Sequence, residues 1–429
     1  MDDASKKALL GKVSRRLVPF LFLLYVVNIL DRVNVGFARL QMLDDLNMGE
    51  EVYALGAGIF YLGYVVFEVP SNLILRRTGA RRWIARIMIS WGLVTCAMMA
   101  VRGPWTFYLL RILLGIAEAG FFPGIIFYLT YWFPARERAR IVALFMAASP
   151  VTGMVGNPLS GAILEWLDQV GGLSGWQWVF LLEGIPAVIL GVIALNYLTD
   201  RPEHASWLSL NERNWLSGEM SREEKHLEQR HGLSLRQALL DRRVWLLILL
   251  YFTVAVGSNA FGFYLPKLIE SRFPGMDKFQ IGLLAAVPHL CAVIAMVLNG
   301  AHSDRTGERR WHMAPPAAVA ACGLTLYALS DSPALSLLGL ALAQSGIMSM
   351  LPVFWTLPTS FLSGVAAAGG IALINSVGNV GGFVGPNLIG QPAKLTGSFT
   401  PGLLATALTL CIGALLALRV RQDQGRQVG

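Results

Sequence analysis

The sequence predicts an all-α membrane protein with twelve spanning helices arranged as two similar halves of six. Three observations lead there. Of 429 residues, 55% are apolar and only 14% charged, against roughly 25% charged in a soluble domain. Twelve apolar runs are each long enough to cross a bilayer, which takes about 20 residues. A heptapeptide also recurs: RTGARRW at 77–83 returns as RTGERRW at 305–311, 228 residues later, as expected of a duplicated six-helix unit.

The predicted spans are 17–38, 52–75, 83–101, 105–131, 138–164, 176–198, 244–266, 279–301, 313–330, 335–361, 366–391 and 401–419. The basic N-terminus resembles a signal peptide, but the apolar run after it is too long, carries Asp31 and Arg32, and lacks a small-residue cleavage site. It is therefore expected to be an uncleaved first span. If the N-terminus is cytoplasmic, inside segments hold 27 of the 35 Lys and Arg, outside segments hold six, and Arg32 and Arg111 lie within spans. That bias predicts both termini inside. The expected domains are an N-terminal bundle over 1–198, a cytoplasmic linker with a short amphipathic helix over 199–243, and a C-terminal bundle over 244–429.

Several function classes lose support at this stage. The net charge of +8 is spread through short loops and not gathered on one face, which disfavours nucleic acid. Cys96, Cys291, Cys322 and Cys411 are scattered through apolar segments with no CxxC or Cys/His grouping, so neither a metal nor a redox role is expected. No nucleophile–base pair or phosphate-cradling loop suggests an enzyme.

Ionisable groups inside spans are the natural functional candidates, since each costs at least ~2.5 kcal/mol at mid-membrane. Helix 1 carries Asp31 and Arg32, and helix 4 carries Arg111 and Glu118; Glu68, Glu183 and His289 complete the set. At 1.5 Å per residue, Asp31 and Arg111 fall at similar depth, permitting a pair between them. Asn28, Asp31 and Arg32 share one helical face by spacing, as do Arg111, Gly115 and Glu118. Two such stripes are expected to line a common aqueous cavity. In that reading, Arg32 and Arg111 bind substrate carboxylates, because a guanidinium stays charged when dry and offers a bidentate fork. Asp31 and Glu118 bind the coupling proton, tied to substrate through competition for the arginines. The same four residues also fit a static buried ion-pair network that fixes helix packing.

The segment GAHSDRTGERR at 300–310 resembles the loop signature of the major facilitator superfamily. The resemblance implies a major facilitator fold, with Asp304, Arg305 and Arg309 forming a cytoplasmic latch. The first-half copy has Arg76 where the acid would stand. Longer segments resemble the anion:cation symporter branch: LDRVNVGFA at 30–38, FEVPSNLILRRTGARRW at 67–83, LRILLGIAEAGFFPG at 110–124, FLLEGIP at 180–186 and LPVFWTLPTSFLSG at 351–364. Within it the wording is similar to bacterial tartrate-, phthalate- and hydroxyphenylacetate-type permeases.

That branch implies proton-coupled import of an organic anion by alternating access, with the matching Asp31, Arg32, Arg111 and Glu118 in the roles given above. Tyr64, Trp355 and Asn375 match positions that contact substrate; Asn259 and Tyr264 on helix 7 are further cavity candidates. His289 stands where the branch shows a tyrosine, and either tunes substrate choice, carries a proton, or is a neutral histidine bonded to a carbonyl. Glu68 and Glu183 recur in fixed motifs near helix ends, which suggests gating or packing. The expected substrate is a hydroxylated carboxylate such as tartrate or a sugar acid. An aromatic carboxylate is the alternative if Phe354, Trp355 and His289 face the cavity, and a receptor that binds without transport is the rival of another class. No cofactor is expected beyond the proton as coupling ion, since no oxygen-rich cage for sodium is visible. The expected partners are substrate, proton and membrane lipid, for a monomer in the bacterial inner membrane.

Overall fold

A computed structural model describes residues 2–229, 241–361 and 364–420. The described residues form helices and no strands. Among the described residues, ten helical stretches, α4 and α5 counted together, are long and apolar enough to span a bilayer. Their outward faces are apolar, with Val66, Leu73, Val297, Leu298 and Leu408 each more than half exposed. Large aliphatic side chains in that number would face water only at considerable cost, so this surface is built for lipid. The chain is a multi-pass membrane protein.

The described residues form two compact units. The first holds α1 (Asp3–Asp45), α2 (Glu50–Thr78), α3 (Ala80–Ala97), α4 (Pro104–Glu118), α5 (Phe121–Thr130), α6 (Ala135–Met146), α7 (Ala148–Trp166), α8 (Gly175–Tyr197) and α9 (Leu210–Gln229), together with Asp277–Leu283. The second holds α10 (Arg242–Arg272), the remainder of α11 (Lys278–Thr306), α12 (Ala314–Leu329), α13 (Pro333–Phe361), α14 (Gly364–Gly378), α15 (Gly381–Thr396) and α16 (Thr400–Arg419).

Three predicted spans are interrupted. The fourth breaks at Ala119–Gly120, where Ala119 is extended (ψ 130°) and Gly120 is left-handed (φ 87°). A side chain at Gly120 would meet Ser71 Oγ at 2.4 Å, so both conformation and space require glycine. The fifth is a pair, α6 and α7, because Pro150 has no N–H for the carbonyl of Met146. The eleventh is likewise a pair, α14 and α15, parted at Asn379–Val380 next to Gly378, Gly381 and Gly382, glycine being a weak helix former. Summed hydropathy passes over such breaks, which is why each segment reads as one run.

Close backbone approach fixes α2 against α4. A Cβ on Gly115 would lie 2.0 Å from the Phe60 carbonyl oxygen, and one on Gly63 would lie 2.7 Å from that of Ile112. In lipid, where no hydrophobic force drives helices together, such small-residue contacts set the packing. Here they hold Phe60 and Tyr64 of α2 beside the end of α4.

Helix α9 lies within the stretch between the sixth and seventh predicted spans. Its start docks on the first unit: Lys12 Nζ donates to Glu212 at 2.9 Å, Trp207 stacks on Trp132 at 5.5 Å, and Arg16 lies over both Trp207 and Tyr197 at 4.9 Å. Just before it, Asp200 Oδ1 accepts from the backbone N–H of Arg81 at 2.8 Å, capping α3. The first heptapeptide copy thus obtains an acid from a distant segment. In the second copy, Arg305 is exposed, Arg309 donates to Ser303 Oγ at 2.9 Å, and the Asp304 side chain lies outside the described residues.

Glu212 also accepts from the Ser209 backbone N–H at 2.7 Å. That bond and Lys12 hold its carboxyl below the ordinary carboxylate range. A depressed folded value means the contribution is complete above the unfolded pKa and lost as pH falls through the folded one. Amide protection factors at the start of α9, corrected for the intrinsic rate at each pH, should therefore fall on acidification in the wild type, and Glu212→Gln should show the lower protection already at neutral pH.

Candidate functional site

Helix α1 brings its polar residues to two different neighbours. At 100° per residue, Asn28 and Arg32 are one turn apart and meet the end of α4. Asn28 Nδ2 donates to Glu118 Oε1 at 2.7 Å, and Arg32 Nε pairs with the same oxygen. Asp31 turns away toward α3, where Trp91 Nε1 donates to Asp31 Oδ2 at 2.5 Å and Asn34 Nδ2 lies 3.4 Å from Oδ1. The single stripe of Asn28, Asp31 and Arg32 expected from spacing is therefore split, because 100° between adjacent residues suffices to point Asp31 and Arg32 at different helices.

The depth-based pairing of Asp31 with Arg111 is likewise replaced by Arg32 with Glu118. Arg111 points into α2, donating from Nε to the Gly56 carbonyl at 3.0 Å and from Nη2 to that of Ala57 at 3.2 Å. The stripe on α4 divides as well: Arg111 and Gly115 face α2, while Glu118 faces α1. Of the four charged residues, only Arg32 keeps appreciable exposure, with 20% of its side chain accessible against 1% for Glu118. Asp31 and Arg111 are each 1% exposed. The expectation that all four line one cavity gives way to one accessible guanidinium backed by buried groups.

The surroundings of Arg32 are aromatic and hydroxylated. Its guanidinium lies 4.9 Å from the Tyr64 ring centre and 5.7 Å from that of Phe60, whose ring also has Arg111 at 5.0 Å. Tyr25, Tyr61 and Tyr64 are all within electrostatic reach of it. Hydrogen-bonding capacity is left over: Arg32 Nη2, Glu118 Oε2 and Asn28 Oδ1 have no partner. Three such atoms around one ion pair contrast with the nearly complete satisfaction usual for buried polar groups. Tyr25 and Tyr61 were not picked out from the sequence, because aromatic residues in spans usually serve packing.

The remaining candidates lie on other elements. In the second unit, His289 Nδ1 sits within hydrogen-bond distance of Gln344 Nε2, at 3.1 Å. Its partner is a side-chain amide and not the carbonyl expected. Trp355 packs edge-on against Tyr251 and Phe354, at 5.1 and 5.2 Å, next to a buried apolar core. Asn259 Nδ2 donates to the Ala255 carbonyl at 2.8 Å, Tyr264 is fully buried, and Asn375 is 8% exposed. Glu68 is buried in α2. Glu183 lies well inside α8 and not near a helix end, accepting from Ser160 Oγ at 2.6 Å.

A buried ion pair at the break of a discontinuous spanning helix, within a two-unit all-α membrane protein, is the architecture of a secondary transporter. Residues 21–386 match the Major Facilitator Superfamily, and the chain belongs to it; it is a transporter and not an enzyme. It is 50% identical to a protein of Agrobacterium vitis provisionally named a tartrate transporter, over 98% of this chain and 92% of that one. It is 44% identical to NicT of Pseudomonas putida, provisionally named a metabolite transport protein, over 97% and 95% of the two chains. Among solved structures, an inward-facing bacterial homologue of the human lysosomal transporter Spinster superposes with a TM-score of 0.75 at 17% identity, covering 96% of both chains. That likeness concerns the fold.

Removing one member of a buried ion pair leaves an uncompensated charge and costs about 3–5 kcal/mol. Arg32→Ala and Glu118→Ala should each lower the melting temperature clearly, while the double variant should lose much less than their sum. Additive losses would show that the two side chains do not interact.

Proposed function

We propose that this protein is a proton-coupled importer of a hydroxylated organic carboxylate of the tartrate type, working by alternating access in the bacterial inner membrane with both termini cytoplasmic. The observation that carries the reading is the Arg32–Glu118 pair with its unfilled bonding capacity. An incoming carboxylate takes the free Nη2 edge of Arg32 and competes with Glu118 for the guanidinium. Deprived of its cation in a dry setting, Glu118 takes up a proton, so anion and proton enter together. Arg111, held behind Phe60 by the α2 carbonyls, contributes positive potential at short range.

Substrate class follows from what surrounds the guanidinium. Phenol groups of Tyr25, Tyr61 and Tyr64 and the amide of Asn28 can bond the hydroxyls of a hydroxy acid. An aromatic carboxylate would want Phe354, Trp355 and His289 open to it, yet Phe354 is fully buried and His289 bonded to Gln344. The two relatives named for tartrate and metabolite transport support the same class.

A ligand at about 100 times its Kd stabilises a protein by about 2.7 kcal/mol, a shift of several degrees. Tartrate should produce such a shift with the purified wild type and none with Arg32→Ala; an undiminished shift in the variant would remove Arg32 from the site. In proteoliposomes, an inward proton gradient should drive tartrate accumulation. Binding without accumulation would favour a receptor, and accumulation driven by sodium alone would replace the coupling ion.

A further inference from the structure

Arg16 stands immediately before the first predicted span, 17–38. Among the described residues, its guanidinium has neither an acid partner nor a hydrogen bond. It lies instead over two rings, those of Tyr197 at the end of α8 and Trp207 in the segment leading to α9, 4.9 Å from each centre. Tyr197 is pinned there, its hydroxyl donating to the Arg16 backbone carbonyl at 2.8 Å. Trp207 stacks in turn on Trp132, which is completely buried. Next to Trp132, Tyr131 carries the guanidinium of Arg201 at 4.9 Å, again with no acid partner among the described residues.

Two acids of the linker serve other groups. Glu212 pairs with Lys12, one turn before Arg16 on α1, at 2.9 Å, and Asp200 accepts from the Arg81 backbone N–H at 2.8 Å. Exposed arginines elsewhere can bond water, but Arg16 Nε is withdrawn from solvent without a partner, as is the indole Nε1 of Trp207. Both side chains otherwise keep partial exposure, which gives a ligand a way in. A partner for a partly desolvated guanidinium has to carry negative charge, and its planar fork suits the paired oxygens of a phosphate. The position indicates where that phosphate comes from. Arg16, Tyr131 and Tyr197 mark the ends of the first, fourth and sixth predicted spans, the level at which Tyr and Trp gather and phospholipid headgroups lie.

We propose that Arg16 and Trp207, framed by Tyr197, form a binding site for a phosphate group, supplied by the headgroup of an anionic phospholipid, with Arg201 adding positive charge beside it. A phosphate there accepts from α1 and from the segment entering α9, so the lipid and the Lys12–Glu212 pair together hold the linker on the first unit. The site lies about 24 Å along α1 from Arg32, at 1.5 Å per residue, and does not depend on which ion drives transport.

The test follows the melting temperature of the purified full chain in detergent during titration with dioleoylphosphatidylglycerol. Dioleoylglycerol, with the same acyl chains and no phosphate, and inorganic phosphate are titrated in parallel, each shift being read against that variant's own baseline. The phospholipid should stabilise the wild type saturably and dioleoylglycerol should not, and Arg16→Gln should weaken the apparent lipid affinity about fivefold or more. Trp207→Phe keeps a stacked ring but removes the indole donor, so it should weaken lipid binding too; this variant decides the matter where Arg16→Gln does not fold. Equal stabilisation by the two lipids, or a phospholipid affinity unchanged by the substitution, would overturn the proposal. A saturable shift with inorganic phosphate that Arg16→Gln abolishes, to which phospholipid adds nothing, would keep the phosphate site and overturn its lipid source.

Discussion

A guanidinium inside a lipid-buried bundle has to be neutralised, and the arrangement of the first unit follows from how that is done at Arg32. Its partner Glu118 ends α4, at a break where Ala119 is extended and Gly120 left-handed. The break frees Glu118 from the regular helical course and presents it to α1. The close contact of Gly115 with the Phe60 carbonyl keeps α2 at hand, so the aromatic rings of Phe60 and Tyr64 flank the cation. Ion pair, helix break and glycine contact are thus one construction. Altering any of them changes the distance between Arg32 and its counter-ion.

The pair is incomplete by design of its hydrogen bonds. Arg32 has five donors and Glu118 two acceptor oxygens, yet one guanidinium nitrogen and one carboxylate oxygen go unpartnered. A purely structural bridge would gain by saturating these atoms. Partial satisfaction, together with the residual exposure of Arg32, is what the proposed anion competition rests on. Arg111 illustrates the contrast: its guanidinium is spent on α2 carbonyls and fully buried, which suits a fixed charge.

Much of this was legible in the residues. Spans are visible because a bilayer demands long apolar runs, and the ionisable residues within them stand out because each is expensive there. Direction was harder to read. Spacing placed Asn28, Asp31 and Arg32 on one face, but helical periodicity says which residues are neighbours on a surface, not which helix each will meet. Depth likewise suggested Asp31 with Arg111, whereas the packing of α2 against α4 turned Arg111 aside. Glu183 reads as a residue near a helix end, but in the fold it lies inside α8, buried and bonded to Ser160 of α7. Tyr25 and Tyr61 carried no signal that separates a hydroxyl near a cation from a ring in a core.

In the proposed cycle, substrate anion and Glu118 compete for Arg32, so that binding and protonation are linked. Isothermal titration of the purified protein with tartrate, repeated in buffers of different ionisation enthalpy, measures the protons taken up on binding. Net proton uptake is expected at neutral pH in the wild type, and its loss in Glu118→Gln. A binding enthalpy independent of the buffer, with tartrate still bound through Arg32, would contradict it.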